Sequence, residues 1–276
     1  MGNSLYIDLL KKVLIDYHRM EMGETPSVKR NMQRKPRYLF AYFIESLLKN
    51  TPFTIREKVA GNKESRLNGK DWPAYADSMI GMKRMDNIDF CVSDTIKNNV
   101  PGDLIETGVW RGGSVILMRA ILKDAGITDK TVWVADSFEG LPKPDAEKYA
   151  ADKNDDHYTL SAVLAISLEQ VKYNFEKYGL LDEQVKFLKG WFKDTLPTAP
   201  ITQLSVLRLD GDMYESTINA MDNLYPKLSK GGYIIVDDYS AVEGCKLAIH
   251  DYRDKYNITE TITDIDGTGV YWKKEN

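Results

Sequence analysis

Apolar and polar positions follow two rhythms along this chain. From Met79 to Ile96 the apolar side chains Met79, Met82, Met85, Ile88, Phe90 and Val92 recur at helical spacing. Beyond them, short apolar runs alternate with longer amphipathic stretches. The runs Asp103–Thr107, Thr131–Ala135, Val185–Leu188, Leu204–Leu209 and Tyr233–Val236 read as strands. Between them, Gly113–Leu122, Ser161–Tyr178, Glu215–Leu224 and Val242–Tyr256 read as helices. Strands alternating with helices predict an α/β fold, a parallel sheet with helices on both faces. Two short β segments, Glu260–Thr263 and Gly269–Trp272, flank Asp266-Gly267 and predict a closing hairpin.

The front of the chain follows a different pattern. Leu5, Leu9, Leu10, Val13 and Leu14 predict a helix over residues 4–20, and a second is expected from Arg37 to Lys49. Between them Gly23–Pro36 is basic and broken by Pro26, as in a linker, and Gly61–Trp72 is polar. Two parts are therefore expected: an N-terminal helical accessory or lid region over 1–75, and the main domain over 76–276.

Charge divides the same way. Residues 1–70 hold 14 Lys/Arg against 7 Asp/Glu, a balance of +7, which leaves −11 for the rest of a chain whose formal net charge is −4. A basic front over an acidic body fits an anionic partner, subunit docking or solvated faces. No base-stacking aromatic pattern accompanies the basic segment 29–37, so no nucleic-acid partner is expected. No apolar stretch approaches the ~20 residues of a membrane span. The start, MGNSLY, lacks the character of a secretion signal, and Tyr6 stands where myristoylation requires Ser or Thr. Two distant cysteines, Cys91 and Cys245, suit a reducing compartment. The expectation is a cytoplasmic protein without a membrane partner.

The candidate chemistry sits where the strands end. The first strand runs into ETGVWRGGS, residues 106–114, with glycines at 108, 112 and 113 before a helix. Such a turn lets backbone approach a ligand, and a helix N-terminus favours negative charge. The spacing is not the G-x-G-x-x-G of dinucleotide sites. Glu106 would repel a pyrophosphate and suit the cationic amino-acid end of S-adenosylmethionine. Asp136 ends the second strand, where a carboxylate can accept the hydroxyl hydrogens of an adenosine ribose or cap the following turn. Gly190 and Trp191 follow the third strand, either against an adenine or as a loop pinned in the core.

Asp210 and Asp212 follow the fourth strand, and Asp237 and Asp238 the fifth. One β–α–β crossover separates the pairs, and such a crossover sets strand ends side by side where open sheets bind ligands. Crowded carboxylates repel one another unless a cation or proton intervenes. Their hard oxygens suit Mg²⁺, with Mn²⁺ as a substitute. His18, His157 and His250 are scattered without zinc-ligand spacing, and Leu141–Tyr158, with its prolines and charges, resembles a flexible lid.

Five ordered motifs carry a resemblance: ETGVWRGG (106–113), ADSFEGLP (135–142), KGWFKDTLP (189–197), LDGDMYEST (209–217) and VDDY (236–239). Together they resemble the TylF family, named for macrocin O-methyltransferase, over roughly residues 72–273, while residues 1–70 match no motif. The resemblance implies a class I methyltransferase, Rossmann-like, with a mostly parallel seven-stranded sheet and an antiparallel C-terminal hairpin strand. It implies S-adenosylmethionine and Mg²⁺ as cofactors and methylation of a sugar hydroxyl on a glycosylated natural product; because paired hydroxyls would chelate the metal, a vicinal diol is the expected acceptor. A catechol-type O-methyltransferase is the alternative. By position, Asp210, Asp237 and Asp238 would hold the metal. Asp212 and Asp210 would be catalytic, with Asp212 as general base. Glu106, Gly108 and Ser114 would lie along the methionine moiety of the cofactor and Asp136 on its ribose, with Val109, Ser137, Gly190 and Trp191 also among the cofactor-binding residues. Met79, in the segment SMIGM (78–82), would belong to a helix closing over the cofactor. A small glycoside acceptor and a homo-oligomer, dimer or larger, complete the expectation.

Overall fold

A computed structural model describes residues 4–20, 44, 47–48, 51, 63–71 and 73–276. The expected linker and most of the expected helix Arg37–Lys49 lie outside the described residues. The chain forms two compact units, one of residues 1–11 and 83–276, the other of 12–82.

The larger unit is built on seven strands: β1 (Asp103–Thr107), β2 (Val132–Asp136), β3 (Val185–Lys189), β4 (Leu204–Leu209), β5 (Leu228–Val236), β6 (Thr263–Asp264) and β7 (Val270–Lys273). Their order across the sheet is β3-β2-β1-β4-β5-β7-β6. The five strands from β3 to β5 run parallel; β7 is antiparallel to β5 and β6 to β7. The strand order reverses between β1 and β4, the place where such sheets open a crevice at their carboxyl edge. This is the class I methyltransferase fold.

Side chains of successive strand residues point to opposite faces. Ile105, Leu207, Leu209, Ile234 and Val236 join Leu224, Tyr252 and Trp272 in one buried cluster. Helix Tyr214–Leu224 packs there on β4 and on helix Glu243–Lys255. Glu106, Val206, Arg208 and Tyr233 point the other way by register. On that face the Tyr233 hydroxyl donates to Asp94 of helix Met82–Lys97 at 2.8 Å. Lys11, 3% exposed, binds Asp86 and Asp89 of the same helix at 2.8 and 3.1 Å. Among the described residues no helix is long and apolar enough to cross a membrane.

Several expected boundaries move. The helix expected over Ser161–Tyr178 is two helices, Ser161–Leu164 and Leu168–Glu176, because Ser167 leaves the helical conformation and caps the second through Gln170 N. β5 begins at Leu228 rather than Tyr233, running through a polar, glycine-containing start that periodicity does not flag as strand. The segment expected as a flexible lid contains two short 3₁₀ turns, Ala150–Asp152 and His157–Leu160, and Asp152 is 1% exposed.

In the 12–82 unit a short helix, Lys63–Leu67, lies within the polar stretch Gly61–Trp72. Its Arg66, 1% exposed, donates to the Ile15 carbonyl and pairs with Asp71 at 2.7 Å. Residues 78–81 are not helical, and the helix expected from Met79 starts at Met82. A Cβ at Gly81 would lie 2.4 Å from the Leu67 carbonyl oxygen, so only glycine permits this approach of two backbones.

Candidate active site

The carboxyl edge of the sheet is drawn level by hydrogen bonds just beyond the strands. Gly190 N donates to Asp136 O, Gly108 N to Ala135 O, Asp210 N to Thr107 O and Asp237 N to Leu209 O, all at 2.8–2.9 Å. The β-ladder thus continues one residue past each strand, setting the glycine turn, the β2 carboxylate and the aspartates of β4 and β5 along one line.

Asp210, Asp237 and Asp238 come together at the tips of β4 and β5. Each offers a carboxylate oxygen within 4.8 Å of the others. Asp238 Oδ2 is buried and has no hydrogen-bond partner. A buried, unpartnered carboxylate oxygen beside two further carboxylates is costly unless something binds it. All three donors are hard oxygens, the set a divalent magnesium-like cation takes. The residues present therefore fit such an ion.

Asp212 stands half-buried beside this trio with φ +55°, a left-handed conformation held by the tight turn at Gly211. Burial, then the neighbouring Asp210 charge, pushes its pKa up to about 7. Burial and Asp237 raise Asp210, and burial and Asp212 raise Asp238 well above the usual carboxylate range.

The sequence reading missed the counter-ions. Arg208 is fully buried within β4 and donates to Glu106, Asp210 and Asp237. Arg84, from helix Met82–Lys97, donates to Asp237 and Asp266. Burial disfavours both guanidinium charges, but the surrounding carboxylates outweigh it and raise both pKa values. The available signal was an arginine inside a mainly apolar run, LSVLRL, since a charged residue almost never enters a fully buried strand without a partner.

At the ends of β1 and β2, Ser114 Oγ donates to both Glu106 oxygens at 2.6 and 2.5 Å. Burial lifts the Glu106 pKa to about 7, against the pull of Arg208. Val109 N and Phe138 N donate to the two Asp136 oxygens at 2.7 Å each, joining the β1 and β2 turns. Ser137 Oγ donates to the Gly140 carbonyl at 2.7 Å. Gly190 has φ +140°, and Trp191 starts the short helix Phe192–Thr195. Gly108 has a second reason to be glycine: with φ +87°, a Cβ there would lie 1.7 Å from the Asp210 carbonyl oxygen. Met79 belongs to the 12–82 unit. Tyr239 OH and His250 Nε2 hydrogen-bond at 2.7 Å, which accounts for that histidine.

Comparison with known proteins decides what this edge belongs to. The macrocin-O-methyltransferase (TylF) family model matches residues 3–274. The chain belongs to the TylF family. It is an S-adenosylmethionine-dependent O-methyltransferase, and the TylF match reaches back to residue 3, through N-terminal residues that carry none of the five motifs. Among similar proteins, the 8-demethyl-8-(2,3-dimethoxy-alpha-L-rhamnosyl)-tetracenomycin-C 4'-O-methyltransferase of Streptomyces olivaceus is 49% identical over 99% of this chain and 93% of its own. The demethyldecarbamoylnovobiocin O-methyltransferase of Streptomyces niveus is 50% identical over 99% of this chain and 94% of its own. The solved O-methyltransferase NovP superposes with a TM-score of 0.84 at 48% identity, covering 99% of both chains.

Proposed function

We propose that this TylF-family enzyme methylates a sugar hydroxyl on a glycosylated natural product and requires Mg²⁺ to do so. One observation carries the reading: three buried-edge carboxylates converge at β4 and β5, one of them with an unpartnered buried oxygen, beside the glycine turn. The relatives' printed names support the acceptor class, since one describes methylation at 4' of a rhamnosyl-tetracenomycin. That acceptor already carries methoxy groups at 2 and 3, so the expected vicinal diol relaxes to a hydroxyl with an oxygen next to it, free or methylated.

Glu106, positioned by Ser114, faces the cationic amino-acid end of the cofactor, with Gly108 and Val109 beside it. Asp136 and Ser137 serve the ribose, and Gly190 and Trp191 the adenine. S-adenosylmethionine supplies an activated methyl group on a cationic sulfur. Asp210, Asp237 and Asp238 would hold Mg²⁺, which when bound would lower the pKa of the acceptor hydroxyl and fix its oxygen. Asp212, beside these three carboxylates, takes the hydroxyl proton. Because charge is lost in the displacement, much of the acceleration comes from holding acceptor and donor in line. Free, buried Cys91 and Cys245 support a reducing, cytoplasmic setting. Leu5 and Leu9, 87% and 62% exposed on one helix, support a homo-oligomer.

Incubating the enzyme with labelled S-adenosylmethionine, Mg²⁺ and a panel of glycosides and catechols tests the acceptor class. Label on rhamnosides or related deoxysugar glycosides is expected. Transfer to catechols alone would replace this reading with the catechol-type one.

A further inference from the structure

Resting on the metal reading above, we infer that Arg84 is a positioning residue for Asp237, and that it acts by tying Asp237 to the β6–β7 turn through Asp266. Three distant parts of the chain meet in this link. Arg84 lies in the first turn of helix Met82–Lys97, Asp237 at the tip of β5 and Asp266 between β6 and β7. Arg84 Nη1 donates to Asp237 Oδ2, and Arg84 Nε donates to Asp266 Oδ2 at 2.8 Å.

Asp266 is itself anchored, its Oδ1 accepting from Thr268 N at 3.0 Å and Gly269 N at 2.9 Å. The Arg84, Asp237 and Asp266 side chains are 8%, 5% and 1% exposed, so water neither screens the pairs nor substitutes for a lost donor. The turn also packs directly on the link. A Cβ at Gly269 would sit 3.4 Å from both Arg84 Nε and the Asp237 carbonyl oxygen.

Arg208 donates to the other Asp237 oxygen, so guanidinium groups from two directions fix the plane of this carboxylate. Asp238 Oδ2, by contrast, has no partner. A cation meeting this trio therefore finds one ligand already oriented, and Arg84 supplies half of that orientation. The role depends on shape as well as charge. A guanidinium presents donors along two edges and can bridge two carboxylates, whereas a lysine ammonium is a point charge that cannot reproduce the fork.

The test titrates Mg²⁺ into the full-length protein saturated with S-adenosylhomocysteine and follows binding by calorimetry. Wild type, Arg84→Lys, Asp266→Asn and the double variant are compared, with S-adenosylhomocysteine affinity measured separately in each. Outer partners of metal ligands commonly set affinity by about 10–100-fold, and a weakening of that size is expected in both single variants. Cofactor-product binding should be unchanged. The double variant should bind Mg²⁺ no more weakly than the weaker single, because both changes break one link. Wild-type Mg²⁺ affinity in Arg84→Lys, additive losses in the double variant, or a parallel fall in S-adenosylhomocysteine binding would overturn the inference. A wild-type chain that takes up no Mg²⁺ would instead overturn the metal reading beneath it.

Discussion

Glu106 and Arg208 face each other across the β1–β4 ladder, both with no exposed surface, and the arginine donates to the carboxylate. The same guanidinium reaches Asp210 at 2.7 Å and also Asp237, so one buried charge serves both Glu106 below the glycine turn and the aspartate cluster of the sheet edge. Removing one partner of a buried ionic network strands the others without water. Arg208→Met should therefore lower stability by about 3–5 kcal/mol, measured by urea unfolding of the metal-free protein. Glu106→Gln in the same background should recover part of that loss.

Asp152 accepts from Tyr214 N at 2.8 Å and Glu215 N at 2.9 Å. These amides open helix Tyr214–Leu224, whose own N-cap residue, Met213, offers no side-chain bond. A residue some sixty positions earlier thus caps the helix that directly follows Asp212. Asp152→Ala should cost about 0.5–2 kcal/mol, as lost caps do, and speed proteolysis within residues 141–158. Denaturant unfolding and timed limited proteolysis read the two effects.

Stability should depend on pH with a sign set by Glu106 and Asp212, both raised to about 7 chiefly by burial. An acid whose folded pKa is raised stabilises the fold fully below its unfolded pKa, and that contribution is lost as pH rises through the folded value. The metal-free protein should therefore lose thermal stability from the ordinary carboxylate range up to about 7. Asp94, Asp182 and Asp266 are lowered by their partners and act in the opposite sense, at lower pH. Because a metal takes deprotonated ligands, the rise in melting temperature on adding Mg²⁺ should grow with pH over this window. Melting curves with and without Mg²⁺ at several pH values test it; a metal-induced rise that shrinks with pH would contradict it.

Much of the sheet was legible in the sequence. Strands buried along their whole length, such as Leu204–Leu209, read as mainly apolar runs, and their ends are marked by glycine or acid. The aspartate cluster followed, because crossover topology alone sets Asp210 beside Asp237. Arg84, Arg208 and Asp266 were not legible as its partners. The pairs Arg208–Glu106, Arg84–Asp237 and Arg84–Asp266 span 102, 153 and 182 positions, and no local periodicity encodes such contacts. Gly108 shows a different limit. Its motif reads as room for a ligand, yet the missing side chain also makes room for the Asp210 carbonyl. The 141–158 segment reads as loose because it is polar, whereas one of those polar groups, Asp152, is the cap that ties it down.

Through the carboxylates of Asp210, Asp237 and Asp238, methyl transfer to a glycoside is expected to depend on a divalent metal. The deciding quantity is the initial rate of methyl transfer to a glycoside that the enzyme accepts, after EDTA treatment, after Mg²⁺ is restored, and in Asp210→Asn. Activity should vanish with EDTA, return with Mg²⁺, and stay absent in Asp210→Asn while that variant still binds S-adenosylhomocysteine. Full activity in EDTA would contradict the account.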